Sequence, residues 1–167
     1  MTDGAVVWFT GLPASGKTTA AMRLVGHLRA QGREPVLLDS DEIRGAIVPP
    51  LGYDAAARDA FYQTLGNLAC MLAWPGAIVA VSATAHLRRW RDAARGRAPR
   101  FVEVYVATPA DECRRRDPKH LYRDPQIGAD LPGVHSTYEP PLHPEVVAPN
   151  GDDEATIAAV LAALRCD

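Results

Sequence analysis

Gly11-Leu12-Pro13-Ala14-Ser15-Gly16-Lys17-Thr18 fills the pattern G-x-x-x-x-G-K-[ST] at every fixed position. Its flanks are as readable as the loop itself. Ala5 to Thr10 (AVVWFT) is a short apolar run rich in strand formers that ends at Gly11. Beyond it, Ala20, Ala21, Leu24, Val25 and Leu28 recur at helical spacing as far as Gly32, a natural stop. Strand, glycine loop and helix in this order form an anion cradle: small residues let successive backbone N–H groups point inward, and the helix adds its positive N-terminal end. The loop from Gly11 through Thr19 is therefore expected to hold the phosphates of ATP. Lys17 would reach the β- and γ-phosphates, and the Thr18 hydroxyl would ligate Mg²⁺.

Outward from the loop the same alternation continues. Pro35 to Asp39 and Gly76 to Ser82 read as buried strands, as does Phe101 to Val106; Ala55 to Trp74, His86 to Arg95 and Ala110 to Arg116 read as helices. Alternating strands and helices predict an α/β protein with a mostly parallel sheet of about five strands covered on both faces, the three-layer P-loop NTPase architecture. Asp117 to Pro149 breaks the pattern. It carries seven of the fourteen prolines and no sustained apolar period, which points to an active-site lid over about 117–138. Asp153 to Leu164 reads as a closing helix, and residues 1–167 as one domain.

Composition narrows the partners. Eighteen Lys and Arg against twenty Asp and Glu leave a net charge of −2, so no positive field favours nucleic acid or an anionic membrane surface. Three cysteines, an odd number without short-range pairing, suit a reducing compartment and buried thiols. With no basic leader before the first strand and no apolar run near the roughly 18 residues of a membrane helix, a cytoplasmic protein with a small-molecule partner is expected.

A phosphate loop alone does not separate GTPases, motor ATPases and small kinases. No NKxD-like guanine signature is present, and 167 residues leave little room for a motor, so a kinase leads. Leu38-Asp39-Ser40-Asp41-Glu42-Ile43-Arg44 follows the second strand, which places Asp39, Asp41 and Arg44 at the carboxyl end where open α/β sheets bind ligands. Phosphoryl transfer to a hydroxyl needs an organised Mg²⁺ and a carboxylate that orients or deprotonates the attacking oxygen. Asp39 and Asp41 could divide these tasks; the alternative is a helix cap followed by a solvated first turn.

GLPASGKTT, LDSDEIR, FVEVYVATPADECRRRDPKHLY and YEPPLHPEVV together resemble the adenylylsulfate kinase family over essentially the whole chain. The resemblance implies transfer from MgATP to the 3'-hydroxyl of adenosine 5'-phosphosulfate, in sulfate assimilation, by a homodimer. It implies Asp41 near the acceptor hydroxyl and Mg²⁺, Asp39 and Thr18 on the metal, and Lys17, Asp39 and Asp41 as the catalytic set. Arg44, Tyr53 and Arg58 would contact the acceptor, along with Ser82, the one survivor of the family's I-S-P-Y-R stretch. Arg116 to Tyr122 matches the lid motif R-D-P-K-G-L-Y, which assigns Arg116 to ATP and Lys119 to the acceptor side.

Several positions depart from the family pattern. Ser40 replaces its glycine, Glu42 the next asparagine, and Phe61 the asparagine three residues beyond Arg58. The lid stretch K-x-F-T-G-I becomes Asp130-Leu131-Pro132-Gly133-Val134, with Leu131 on the acceptor side. These changes keep open a related kinase of another small hydroxyl compound, such as a nucleoside, sugar or biosynthetic intermediate, and from another class a nucleotide-binding regulator. Of five histidines, none at metal-ligand spacing, His86 is the candidate to donate a hydrogen bond to an anionic acceptor. Arg88, Arg89, Arg91, Arg95, Arg97 and Arg100 read as a solvated helix face. Arg123 is a second candidate, after Arg116, for the phosphates or the donor base.

Overall fold

β1, Ala5–Thr10, is buried at all six positions, and its side chains divide by the two-residue period of a strand. Val7 and Phe9 pack on one face with α1 (Lys17–Ala30) and the closing helix; Val6 and Trp8 pack on the other against the helices that flank β3. A central strand covered on both sides is what an all-parallel sheet requires. The coordinates are a computed structural model and describe residues 4–124, 131–133, 136–149 and 154–165.

After α1 come β2 (Val36–Asp39), α2 (Ser40–Ala46), α3 (Ala55–Ala73), β3 (Ile78–Ser82), α4 (Arg88–Arg95), β4 (Phe101–Val106), α5 (Ala110–Arg116), β5 (Val146–Ala148) and α6 (Glu154–Arg165). The strand order is β2-β3-β1-β4-β5, and every pairing is parallel. From β1 the chain first moves outward past β3 to β2, then from β3 crosses back over β1 to β4. The switch point therefore lies beyond the carboxyl ends of β1, β3 and β4, where such sheets open a ligand crevice.

Expected and observed elements differ in instructive places. β3 begins at Ile78 because Gly76 turns with φ 117°, and α4 begins at Arg88 because Ala85 (φ 38°) and His86 belong to the preceding loop. α2 has no buried residue and so carries no apolar period to read. β5 lies inside the proline-rich segment, as three residues between Pro144 and Pro149. Residues 125–130 and 134–135 of the expected lid, together with Asp153 and Cys166, lie outside the described residues; Cys70 and Cys113 are buried. Among the described residues, no helix is long and apolar enough to cross a membrane.

The arginine run is only partly a solvated face. Arg91 is 1% exposed: its Nε donates to Glu103 at 2.8 Å, Nη1 to the Ala85 carbonyl, and Nη2 to the Glu139 carbonyl at 2.6 Å. Arg95 bridges Glu103 and Glu145, and the Glu103 N–H donates to Glu145 at 2.7 Å. One buried cation thus fastens β4, the loop after β3 and the segment leading to β5. Arg91→Leu leaves Glu103 without its main partner in the interior, and should cost about 3 kcal/mol of stability. Urea unfolding measures this; a loss below about 1 kcal/mol would contradict the role.

Candidate active site

The loop between Thr10 and Lys17 wraps around the start of α1. Gly16 caps that helix with φ 102°, a conformation glycine adopts freely, and no acidic residue sits in the first turn to neutralise its positive end. Lys17 folds back to donate to the Leu12 carbonyl at 2.7 Å. Burial lowers its pKa to about 8, against smaller raising effects from Cys113, Asp41 and Asp39. From below, the Thr108 hydroxyl donates to the Ser15 carbonyl at 2.8 Å and props the loop on the end of β4.

Three oxygens from three elements meet beside it. Thr18 Oγ1 donates to Asp39 Oδ2 at 2.8 Å and lies 2.9 Å from Ser82 Oγ. Asp39 and Ser82 are opposite each other in the β2–β3 register, so the sheet itself sets this spacing. Ser82, expected on the acceptor side, is hydrogen-bonded to the Thr18 cluster. A hydroxyl and a buried carboxylate suit a hard cation, and Mg²⁺ is ordinarily held by one or two carboxylates plus substrate phosphates. Among the described residues, no group of three or more His, Cys, Asp or Glu side chains could hold a metal ion by itself. Asp39 also caps α2, its Oδ1 accepting from the N–H groups of Asp41 and Glu42 at 3.0 and 3.3 Å. The cap reading and the ligand reading thus apply to different oxygens of one residue.

A single cavity of about 1070 Å³ runs from the loop to α3. It collects Pro13, Ala14, Gly16, Lys17, Thr18, Thr19 and Arg116, expected on the donor side, together with Asp39, Asp41, Arg44, Tyr53, Arg58, Ser82, His86, Lys119 and Leu131. Gly11, Leu12 and Ser15 belong to the loop but not to the cavity lining, and Arg123 is also outside it. Phe61, Tyr62, Thr84 and Asp117 line the cavity without having been expected as contacts. Asp117, within RDPK, and Phe61, three residues beyond Arg58, stood at positions of the family pattern.

On the acceptor side, Asp41 Oδ2 accepts from Lys119, and this hydrogen bond raises the lysine pKa. Both side chains are largely exposed, so the pair is weak and exchangeable. Arg44 donates from Nη1 to the Gly52 carbonyl at 2.9 Å. His86 is 7% exposed, with Nδ1 buried and without a partner among the described residues. Burial first, then Arg58, lowers its pKa to about 4, so it is neutral near pH 7 and one ring nitrogen still carries a proton to donate.

Two described stretches of the expected lid rest on the phosphate loop. The Tyr122 hydroxyl donates to the Pro13 carbonyl at 2.9 Å, while the Tyr122 N–H donates to Asp117 Oδ2 at 3.2 Å. Gly133, at φ 85°, approaches Leu12 so closely that a Cβ there would come within 2.4 Å of Leu12 Cδ2.

A family model described as adenylylsulphate kinase matches residues 3–149. The adenylyl-sulfate kinase of Synechococcus sp. (strain JA-3-3Ab) is 37% identical over 166 residues, covering 97% of this chain and 94% of the relative. That of Vibrio vulnificus (strain YJ016) is 38% identical over 152 residues, 89% of this chain and 73% of the relative. The Mycobacterium tuberculosis APS kinase CysC, solved in complex with AMPPNP and APS, superposes with a TM-score of 0.88 at 32% identity, covering 99% of this chain and all of that one. A sugar kinase from Janibacter sp. shares the fold alone, at 20% identity and a TM-score of 0.60. Loop, cavity and sequence agree, and the chain belongs to the adenylylsulphate kinase family.

Proposed function

We propose that this protein transfers the γ-phosphoryl group of ATP to the 3'-hydroxyl of adenosine 5'-phosphosulfate, a step of sulfate assimilation. The observation that carries this reading is the single cavity of about 1070 Å³, with a phosphate loop at one end and Arg44, Arg58 and Tyr53 at the other. Its volume is at the upper end of the usual range for one small ligand, which suits two substrates side by side. The names of the relatives support the choice of acceptor, and so does the M. tuberculosis structure with its AMPPNP and APS.

The loop from Gly11 to Thr19 holds the donor phosphates through its backbone N–H groups, and Lys17 spans the β- and γ-phosphates. Thr18 and Asp39 would hold Mg²⁺, which when bound neutralises charge on those phosphates. Arg44 and Arg58 take the anionic end of the acceptor, Tyr53 flanks it, and neutral His86 donates a hydrogen bond. The acceptor oxygen attacks the γ-phosphorus, the bond to the β–γ bridging oxygen breaks, and ADP leaves. Asp41 orients the hydroxyl and takes its proton once the acceptor has displaced Lys119. Arg116 covers the donor edge; Lys119 and Leu131 close from the lid, and water is kept from competing as acceptor. The same reading treats residues 1–167 as one cytoplasmic kinase domain with a lid over about 117–138, acting as a homodimer on small molecules. Leu131, buried against the cavity where the family pattern has an aromatic ring, favours a second reading in which another small hydroxyl metabolite is the acceptor.

Release of ADP that depends on adenosine 5'-phosphosulfate tests the function, and its absence alongside transfer to another metabolite would select the second reading. Lys17→Ala should lower the rate by about 100-fold or more; a nearly unchanged rate would overturn the loop assignment. Asp41→Asn should also cost about 100-fold or more in kcat, whereas a loss of only a few fold would remove Asp41 from the proton transfer. The lowered pKa of Lys17 has a further consequence. Near pH 9 the lysine is mostly neutral in the free protein, and bound phosphates favour its ammonium form, so ATP binding should take up close to one proton, falling to almost none near pH 6.5. Calorimetry in buffers of different ionisation enthalpy measures this, and an uptake independent of pH would contradict it.

A further inference from the structure

Arg44 stands on α2, a seven-residue helix that buries none of its side chains. An arginine in such a place ordinarily samples many rotamers and loses that freedom when a ligand arrives. Here it is already held. Its Nη1 is committed to the Gly52 carbonyl, and its guanidinium carbon lies 4.1 Å from the ring centroid of Phe61 and 4.7 Å from that of Tyr53. Among the described residues no carboxylate pairs with it. A cation lodged between two ring faces in a ligand cavity, without an anion of its own, is matched to an anionic ligand.

The ring beneath it is itself fixed. Phe61 is 1% exposed and meets Tyr62 edge-on at 5.2 Å; Tyr62 stacks on Trp90 at 4.5 Å, and the Trp90 indole N–H donates to Asp59 at 2.7 Å. Arg44 therefore rests on the end of an aromatic row anchored in the packing between α3 and α4. Core packing accounts for the burial of Phe61. It does not require an arginine to lie over the ring.

We propose that the ring face of Phe61 is a positioning element that holds Arg44 ready for the anionic end of the acceptor, so that acceptor affinity depends on a buried residue that need not touch the anion. The inference rests on the kinase reading above and assigns how its acceptor arm is ordered. Phe61 acts through Arg44, so removal of its ring should alter acceptor binding and leave the donor half and the transfer step alone.

Steady-state kinetics with MgATP and adenosine 5'-phosphosulfate test this. Phe61→Leu keeps apolar bulk and removes the ring face, and should raise the acceptor KM roughly 3- to 30-fold, the span of a cation–π contact. The ATP KM and kcat should stay within about twofold, and Phe61→Tyr should restore the parent behaviour. On top of Arg44→Lys, which keeps charge but loses the planar stack, Phe61→Leu should add no further loss. The proposal is overturned if the acceptor KM stays within twofold in Phe61→Leu, if both KM values rise together with a falling melting temperature, or if the loss multiplies with that of Arg44→Lys. Should Phe61→Leu fail to fold, Phe61→Met and its cycle with Arg44→Lys decide the matter. A parent protein inactive on this acceptor would instead remove the kinase reading, and this inference with it.

Discussion

The hydroxyl of Thr18, held between Asp39 and Ser82, ties the first turn of α1 to the ends of β2 and β3. The rest of the site depends on that meeting. It exists because β2 and β3 run parallel in a register that sets Asp39 opposite Ser82, with β1 alongside delivering the phosphate loop. A shift of one residue in β2 would turn Asp39 to the other face of the sheet and dissolve the cluster. The buried sheet core therefore sets the spacing of these three side chains, and the helices supply the apolar cover that keeps the register unique.

The two halves of the cavity are built by different means. The half expected to hold the donor is mostly backbone: a glycine loop, a helix terminus free of acids, and one lysine whose burial makes its charge sensitive to pH. The half expected to hold the acceptor is mostly side chains: Asp41 and Arg44 on α2, Tyr53 in the loop before α3, Arg58 and Phe61 on α3, and Lys119 and Leu131 from the expected lid. Backbone recognition tolerates little change in sequence, whereas side-chain recognition can be retuned one residue at a time. The departures from the family pattern at Ser40, Phe61 and Leu131 all fall on that second half.

Legibility in the sequence follows the range of the interactions. β1, the loop and α1 could be read almost to the residue, because a buried strand, a glycine loop and an apolar helical face are each local signals. α2 was legible only as a cap and a solvated first turn, since it buries nothing, and β5 escaped notice because three residues between prolines carry no period. The burial of Arg91 was invisible because its partners, Glu103 and Glu139, come from other elements; as part of a charged run it reads as solvated. Ser82 was placed at the end of β3, but its hydrogen bond with Thr18, 64 residues away, left no local trace. Pairing of Lys119 with Asp41 across 78 residues is of the same kind. Chemistry-bearing residues could thus be named from sequence, while the contacts that orient them could not.

The position of the transferred phosphate tests the account most directly. After incubation of the protein with MgATP and adenosine 5'-phosphosulfate, phosphorus NMR of the product distinguishes a 3'-phosphate from other sites and from free phosphate. A cavity that sets the acceptor hydroxyl between Asp41 and the γ-phosphoryl group predicts a single new 3'-phosphomonoester formed in step with ADP. Phosphate at another position, or inorganic phosphate released in its place, would contradict it.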